Sequence, residues 1–199
     1  MSSKQDILSR YRSSVKERFD MPSLEGIDPI VWDDPVEQFK KALEQAGGKA
    51  VDVPEGADIN ALLKELFPSA GSFASNLPEI SITTVSPDSV AMVQDLDGLD
   101  VGIVQGRIGV AENACVWVPQ TMKEKAVCFI CEHLVILLDR ASIVNNMHEA
   151  YRKISLMGDE AFGTYGFGTF ISGPSKTADI AQVLVMGAQA ARSVTVLLK

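Results

Sequence analysis

The chain has 199 residues, 46% of them hydrophobic and 22% charged, with a net charge of −8. Such a composition builds one globular domain with a full core and excludes wholesale disorder. With no basic block to offset the acid excess, it also excludes a nucleic-acid backbone as partner.

Residues 1–20 are polar and charged, with none of the apolar core of a signal peptide. No apolar run reaches the roughly 18 residues that span a bilayer, so the expectation is a cytoplasmic protein without a membrane span. The cysteines Cys115, Cys128 and Cys131 do not make the framework of a secreted mini-domain. An iron–sulfur cluster takes about four thiolates, so the chain is not expected to carry electrons itself. Cys128 and Cys131 have C-x-x-C spacing but lie in the apolar run 126–138. That favours buried thiols over a redox motif, which opens a helix from a loop. With two histidines and no H-x-x-x-H, a metal site is not expected either.

In chain order, Ile7, Leu8, Tyr11, Val15 and Phe19 share one face of a first helix over 3–20, and 21–29 is a Pro- and Gly-bearing linker. This N-terminal helical arm, residues 1–30, precedes a domain over 31–199. Its apolar stripe needs a cover, on the core or on another subunit. Asp33 or Asp34 caps a second helix with Pro35 in its first turn, and Gly47-Gly48 ends it. Val36, Phe39, Leu43 and Ala46 mark its buried face. A strand over 49–53, a helix over 57–67 and short strands at 72–75 and 80–84 follow. Further strands are expected at 99–104, at 115–118 and over 126–139, the last as one long strand or two with a bend. Ser142 is read as the cap of a helix whose inner face is Ile143, Met147, Ala150, Tyr151 and Ile154. Residues 158–168 read as a flexible glycine-rich loop, and 193–198 as the closing strand. Helix and strand in alternation predict an α/β fold with a largely parallel central sheet flanked by helices.

The stretch 168–187, GTFISGPSKTADIAQVLVMG, organises the rest. Thr169-Phe170-Ile171 is a β-prone run that stops at Gly173-Pro174. Ile180, Val183, Leu184 and Ala188 then recur at helical spacing. Between them stand Ser172, Ser175, Lys176, Thr177 and Asp179. A helix N-terminus behind such a turn suits a small anion, with Lys176 as a point charge beside it. The same residues also suit a plain helix cap, with Gln182 completing a box behind Asp179. Upstream, Gly106 and Gly109 flank Arg107, a pattern for close backbone approach to a ligand or for a bulge. Glu112 lies between this glycine-bearing segment and a strand of small and apolar residues. A carboxylate so placed needs a partner or a raised pKa, so Glu112 is a candidate catalytic group. The alternative is a carboxylate that simply bonds the N–H groups of a neighbouring loop. His133, in an apolar strand, reads first as a satisfied core residue, and His148 as solvated. No G-x-G-x-x-G and no complete P-loop occurs, so no cofactor is indicated.

SGPSKTADIAQVLVMGA resembles the C-terminal signature of the LUD domain, the family of lactate utilization protein C. DVGIVQGRIGVAENACVWV resembles that family's "GI…AIAETGTLV" segment, and CEHLVILLDRASIV its "P-x-H-I-x-V-V…IV" segment. The resemblance covers residues 35 to 199. It implies a fold similar to that of CoA transferases, sugar-phosphate isomerases and formyltetrahydrofolate cyclo-ligases. It further implies a small anionic ligand held by Ser172, Gly173, Ser175, Lys176, Thr177 and Asp179, with Gly106, Arg107 and Asn113 alongside. Two departures stand out. Ala111-Glu112-Asn113-Ala114-Cys115 replaces A-E-T-G-T, and Gly187-Ala188-Gln189-Ala190-Ala191 replaces G-x-H-G-P, exchanging a titratable histidine for an amide.

Three functions follow from the resemblance. The first is a non-redox subunit supporting L-lactate oxidation to pyruvate with iron–sulfur partner proteins. The second is a stand-alone transferase or cyclo-ligase using Glu112. The third is a binding or scaffold protein whose ancestral site has decayed. A homo-oligomer is a further expectation for the partners.

Overall fold

In a computed structural model, the structure describes residues 3–17, 19, 20, 22, 23, 26–178 and 183–199. The chain is mixed α/β, built on two sheets packed face to face. Helix α1, Ser3–Ser14, belongs to the arm and buries none of its residues. It stops short of the expected 3–20.

Helix α2, Pro35–Gln45, starts where the sequence says it must. Asp34 Oδ1 accepts from the N–H groups of Val36 and Glu37 at 3.0 Å each, satisfying two of the donors a helix start leaves free. Phe39 and Leu43, one turn apart, are fully buried. Helix α3, Ile59–Leu66, is capped in the same way by Asp58.

The central sheet is parallel throughout, in the order β1 (Lys49–Asp52), β11 (Ser193–Leu198), β6 (His133–Leu138), β3 (Val101–Gln105), β2 (Phe73–Ala74). β6 shows why these strands read as unbroken apolar runs. Leu134, Ile136 and Leu138 face the second sheet, while Val135 and Leu137 face the other way, onto Leu63 of α3.

The second sheet, in the order β7 (Ile143–Val144), β4 (Ile108–Val110), β5 (Val116–Pro119), β8 (Gly168–Ile171), is mixed. Val116, Val118 and Ile171 pack inward against Ile136, Val194 and Val196 of the first sheet, with Phe39 and Leu43 closing one side. Its outer face, with Ile108, Val110 and Trp117, is covered by Ala150 and Ile154 of α5, Met147–Met157. Among the described residues, besides short 3-10 turns, there are also α4, Val127–Ile130, and the hairpin of β9 (Lys176–Thr177) with β10 (Val185–Met186).

Beyond the shorter α1, the structure departs from the expectations at five places. Residues 80–84 form turns rather than a strand, because Asn60 takes the N–H groups of Ser81 and Ile82 that a ladder would need. Only Val85 bridges to Ala74. The run 126–139 is a one-turn helix, α4, followed by β6, with Cys131 at the joint. Asn146, not Ser142, caps α5, accepting from Glu149 N–H at 3.0 Å, while the Ser142 hydroxyl turns back to the Asp139 carbonyl. The expected loop 158–168 opens with a 3-10 turn, Gly158–Phe162, held by Trp117 Nε1–H donating to the Ala161 carbonyl at 2.7 Å.

The last departure is the most consequential. Over the described part of 180–188 there is no helix: Val185 and Met186 pair antiparallel with Thr177 and Lys176. Gly187 sits at φ +76°, a left-handed turn that a helix interior excludes, and Arg192 backbone stands 2.8 Å from where a Cβ would be. Ile180 and Gln182 lie outside the described residues.

Candidate functional site

The β4–β5 hairpin brings the first candidate segment into place. Its turn, Ala111 to Cys115, is closed by Val110 N–H donating to the Cys115 carbonyl at 2.8 Å. Asn113 Oδ1 accepts from Cys115 N–H at 3.0 Å, an Asx turn that holds the tip. Ala114 takes φ +54° there, fully buried, at the position where the resembled segment carries glycine. β8 lies antiparallel to β5, so its end arrives at this tip, and the exposed Ser172 hydroxyl donates to the Asn113 carbonyl at 2.6 Å. The segments around 113 and 172 therefore meet, as both family-like motifs imply. They meet at the C-terminal ends of β4 and β8 in the second sheet, not at a switch point of the parallel sheet.

Burial pushes the Cys115 thiol up, and the hydrogen bond with Ser172 partly opposes this. A thiol so placed stays protonated near neutrality and is no nucleophile. Glu112 is exposed, and its Oε2 accepts from Met147 N–H at 3.1 Å, the first residue of α5. It acts as an acceptor at a helix N-terminus, which is the plainer of the two readings of that residue. The expectation of a carboxylate pressed among apolar neighbours is corrected: its side chain points to the surface.

Gly106 and Arg107 sit at the other end of the hairpin, where the chain crosses from β3 to β4. Gly106 N–H donates to the Leu137 carbonyl at 2.8 Å. A Cβ on it would stand 2.5 Å from Val116 and 2.9 Å from Ile136. The close approach that its glycine permits is to the core, not to a ligand, and exposed Arg107 is not gathered with Asn113 and Ser172.

The loop after β8 folds over the C-terminus of α2. Gly173 lies against Ala46, and Lys176 Cε stands 3.4 Å from where a Gly47 Cβ would be. Ser175 N–H is taken by the Ala191 carbonyl at 3.0 Å, and its carbonyl accepts from Gly187 N–H at 2.9 Å. Among the described residues no helix N-terminus follows β8, and the Ser175 N–H is already taken. What the loop offers is side chains: exposed Ser172 and Lys176, and half-buried Ser175 and Thr177. Lys176 stands by the carbonyl end of a helix, which favours a cation. Asp179 lies outside the described residues.

Two clefts open elsewhere on the body, neither lined by residues of this loop. One, of about 540 Å³, is lined by Val93, Glu124, Lys125, Phe129, Ile130 and Gln189, so the residue at the family's histidine position opens onto it. The other, of about 370 Å³, lies at the N-terminal edge of the parallel sheet, between Phe67, Asp100, Glu132, His133 and Ser193. There the register puts His133 beside Ser193, and His133 Nδ1 is 2.8 Å from the Ser193 hydroxyl. The His133 ring also packs on Phe67, with centroids 5.2 Å apart. Asp100 accepts from the N–H groups of Gly71 and Ser72 and from the Ser72 hydroxyl, which together hold its carboxyl below the usual range. Sequence reasoning missed Asp100 and Ser193, because their partners are 28 to 60 residues away along the chain.

All three cysteines are free. Burial pushes Cys128 up to about 12 and Cys131 to about 11, the opposite of a redox pair. Among the described residues no group of three or more His, Cys, Asp or Glu could hold a metal ion, and no helix is long and apolar enough to cross a membrane.

A mixed α/β fold with a parallel central sheet defines the class. The sequence pattern of the LUD domain matches residues 85–198, and the chain belongs to the LUD domain family. Its fold is similar to that of a solved duf162 family protein from Deinococcus radiodurans, at 13% identity and a TM-score of 0.64, covering 85% of this chain and 99% of that one. At that identity the likeness carries the fold alone. No curated protein matches the chain significantly.

Proposed function

We propose that the chain serves lactate utilization as a non-redox subunit similar to lactate utilization protein C, supporting oxidation of L-lactate to pyruvate by iron–sulfur partner proteins. Membership of the LUD domain family supports a lactate-utilization-related role at the level of the family. The observation that carries the finer reading is the bond from Ser172 to the Asn113 carbonyl, which joins the two segments that bear the family's motifs. On this reading a small carboxylate or phosphate binds beside that junction, held by Lys176 and the hydroxyls of Ser172, Ser175 and Thr177. Asn113, and Asp179 from the neighbouring residues, complete the set. A charge-assisted contact of this kind is worth about 1.5 to 3 kcal/mol. The electrons pass to the partners, because this chain has three thiols and two of them are buried.

The same reading divides the chain into an arm over 1–30 and a LUD domain over 31–199, and sets it in the cytoplasm.

The test is a pair of measurements. Thermal melts with lactate, phosphate and sulfate should raise the midpoint of the wild type and fail to raise that of Lys176→Ala. Affinity capture from native cells, read by mass spectrometry, should return proteins rich in C-x-x-C-x-x-C. If no anion shifts the midpoint and no such protein is captured, the reading fails.

A further inference from the structure

The cleft of about 370 Å³ at the N-terminal edge of the parallel sheet takes no part in the anion-site reading, and its volume is that of a small-ligand site. Three neighbouring strands bring its polar groups together. Asp100 precedes β3, His133 opens β6 and Ser193 opens β11. Leu66 and Phe67 at the end of α3, with Pro68 and Ala70 just beyond, give it an apolar wall.

The charges and dipoles of the cleft favour a cation. None of the described residues lining it is a lysine or an arginine. The three hydrogen bonds that keep Asp100 ionised all go to Oδ2. Among the described residues nothing donates to its Oδ1, and no lysine or arginine pairs with it. Glu132, the other carboxylate, is already bonded to Arg192 at 2.8 Å, so Asp100 is the free anchor. Helix α3 turns its carbonyl end to the same cleft. Pro68 has no N–H to give to the Lys64 carbonyl, and the end of a helix dipole draws positive charge.

The wall narrows the choice of cation. Phe67 lies with its ring centroid 5.2 Å from that of His133, whose Nδ1 is fixed by the Ser193 hydroxyl at 2.8 Å. An aromatic face in the same cleft as an unpaired carboxylate suits an ammonium group and the apolar body it carries. A bare metal ion does not fit, because among the described residues no three of His, Cys, Asp or Glu are placed to hold one. A phosphate or carboxylate would meet Asp100 with no cation to offset it.

We propose that this cleft binds a small organic amine, its ammonium on Asp100 Oδ1 and its apolar body against Phe67 and His133. The site is separate from the one at Ser172 and Lys176 and survives the failure of that reading.

The test uses the full chain, with 2-phenylethylamine as the probe at constant pH. The chain has two histidines, and His148 lies on α5, outside the cleft. In proton NMR the amine should move the His133 ring signal saturably and leave that of His148 in place. 2-Phenylethanol and 3-phenylpropionate carry the same ring with a neutral or negative head, and each should bind at least about tenfold more weakly. Asp100→Asn, with unchanged circular dichroism, should weaken the amine by a similar factor. Should that variant unfold, the ranking of the three probes on the wild type decides. A His133 signal that does not move overturns the proposal. So do three probes that bind alike, or a folded Asp100→Asn that holds the amine as the wild type does.

Discussion

The Ser172 hydroxyl and the Asn113 carbonyl, 59 residues apart in sequence, stand 2.6 Å apart and fasten the end of β8 to the tip of the β4–β5 hairpin. The bond is at the surface, so its worth is that of an ordinary neutral hydrogen bond. Ser172→Ala should lower stability by about 0.5 to 1.5 kcal/mol in urea unfolding. It also removes the group that restrains the Cys115 thiol. The pH at which Cys115 becomes reactive to a thiol reagent should therefore move upward in Ser172→Ala, a shift that a merely local loss of structure would not give.

Lys176 separates binding from folding. It is exposed on β9 beside the end of α2, and a cation there gains about 0.3 to 1 kcal/mol from the helix dipole. Lys176→Ala should cost no more than that in stability. Anion affinity, read by calorimetry with phosphate, should fall at least about tenfold.

The buried thiols give an alkaline limb to stability. Cys128 and Cys131 titrate higher in the folded chain, at about 12 and about 11, than in the unfolded one, where a thiol loses its proton near pH ~8.5. A group whose pKa folding raises contributes fully below the unfolded value and loses its contribution as pH climbs to the folded one. Stability should thus decline between about pH 8.5 and 12. Cys128→Ala and Cys131→Ala should flatten that decline, and at pH 8 Cys115, half-buried, should react with a thiol reagent well before the other two.

Asp100 gives the acid limb. Three hydrogen bonds from Gly71 and Ser72 hold its carboxyl below the usual value. Its contribution is present above the unfolded pKa of about 3.9 and disappears as pH falls through the lower folded value. Asp100→Asn should make the melting midpoint less dependent on pH below about 4, as scanning calorimetry would record.

Ala114 is a residue in the wrong conformation for its type. At φ +54° an L side chain is disfavoured by about 1 to 2 kcal/mol, and its buried methyl returns roughly 0.8 kcal/mol. Ala114→Gly should therefore be close to neutral, within about 1 kcal/mol. Ala114→Val, β-branched in a full core, should cost at least ~2 kcal/mol. A midpoint lower for glycine than for valine would contradict this.

The elements that sequence exposes here are those decided by local chemistry. Asp34 and Pro35 announce α2, Gly47 and Gly48 end it, and the apolar run 134–138 can only be a strand buried on both faces. What stayed hidden depends on distant partners. Val183, Leu184 and Ala188 have helical spacing, yet Gly187 takes a left-handed turn and Ser175 claims its N–H, so a hairpin wins. Nothing in the alternation of Val116 to Val118 tells that they belong to a second sheet. That division is made by the crossing at Gly106, where Val116 and Ile136 close on a residue without a side chain. For the site, the meeting of 113 with 172 was legible from two glycine-broken strands. Among the described residues no helix starts behind 172, and the groove at His133 needed Asp100 and Ser193 from remote positions.

The place of β11 has a consequence for how the protein is made. It is the last strand in sequence, yet it lies between β1 and β6 and supplies both with their partner. A ribosome adding about 5 to 20 residues per second delivers β1 many seconds before it. Until residues 193–198 emerge, β1 has nothing to pair with, and one long edge of β6 is bare. The nascent chain therefore carries open β edges through most of its synthesis, the state in which a holdase chaperone is of greatest use. Translation paused before residue 193 should leave a chain sensitive to protease, and release past residue 198 should make it resistant in a single step.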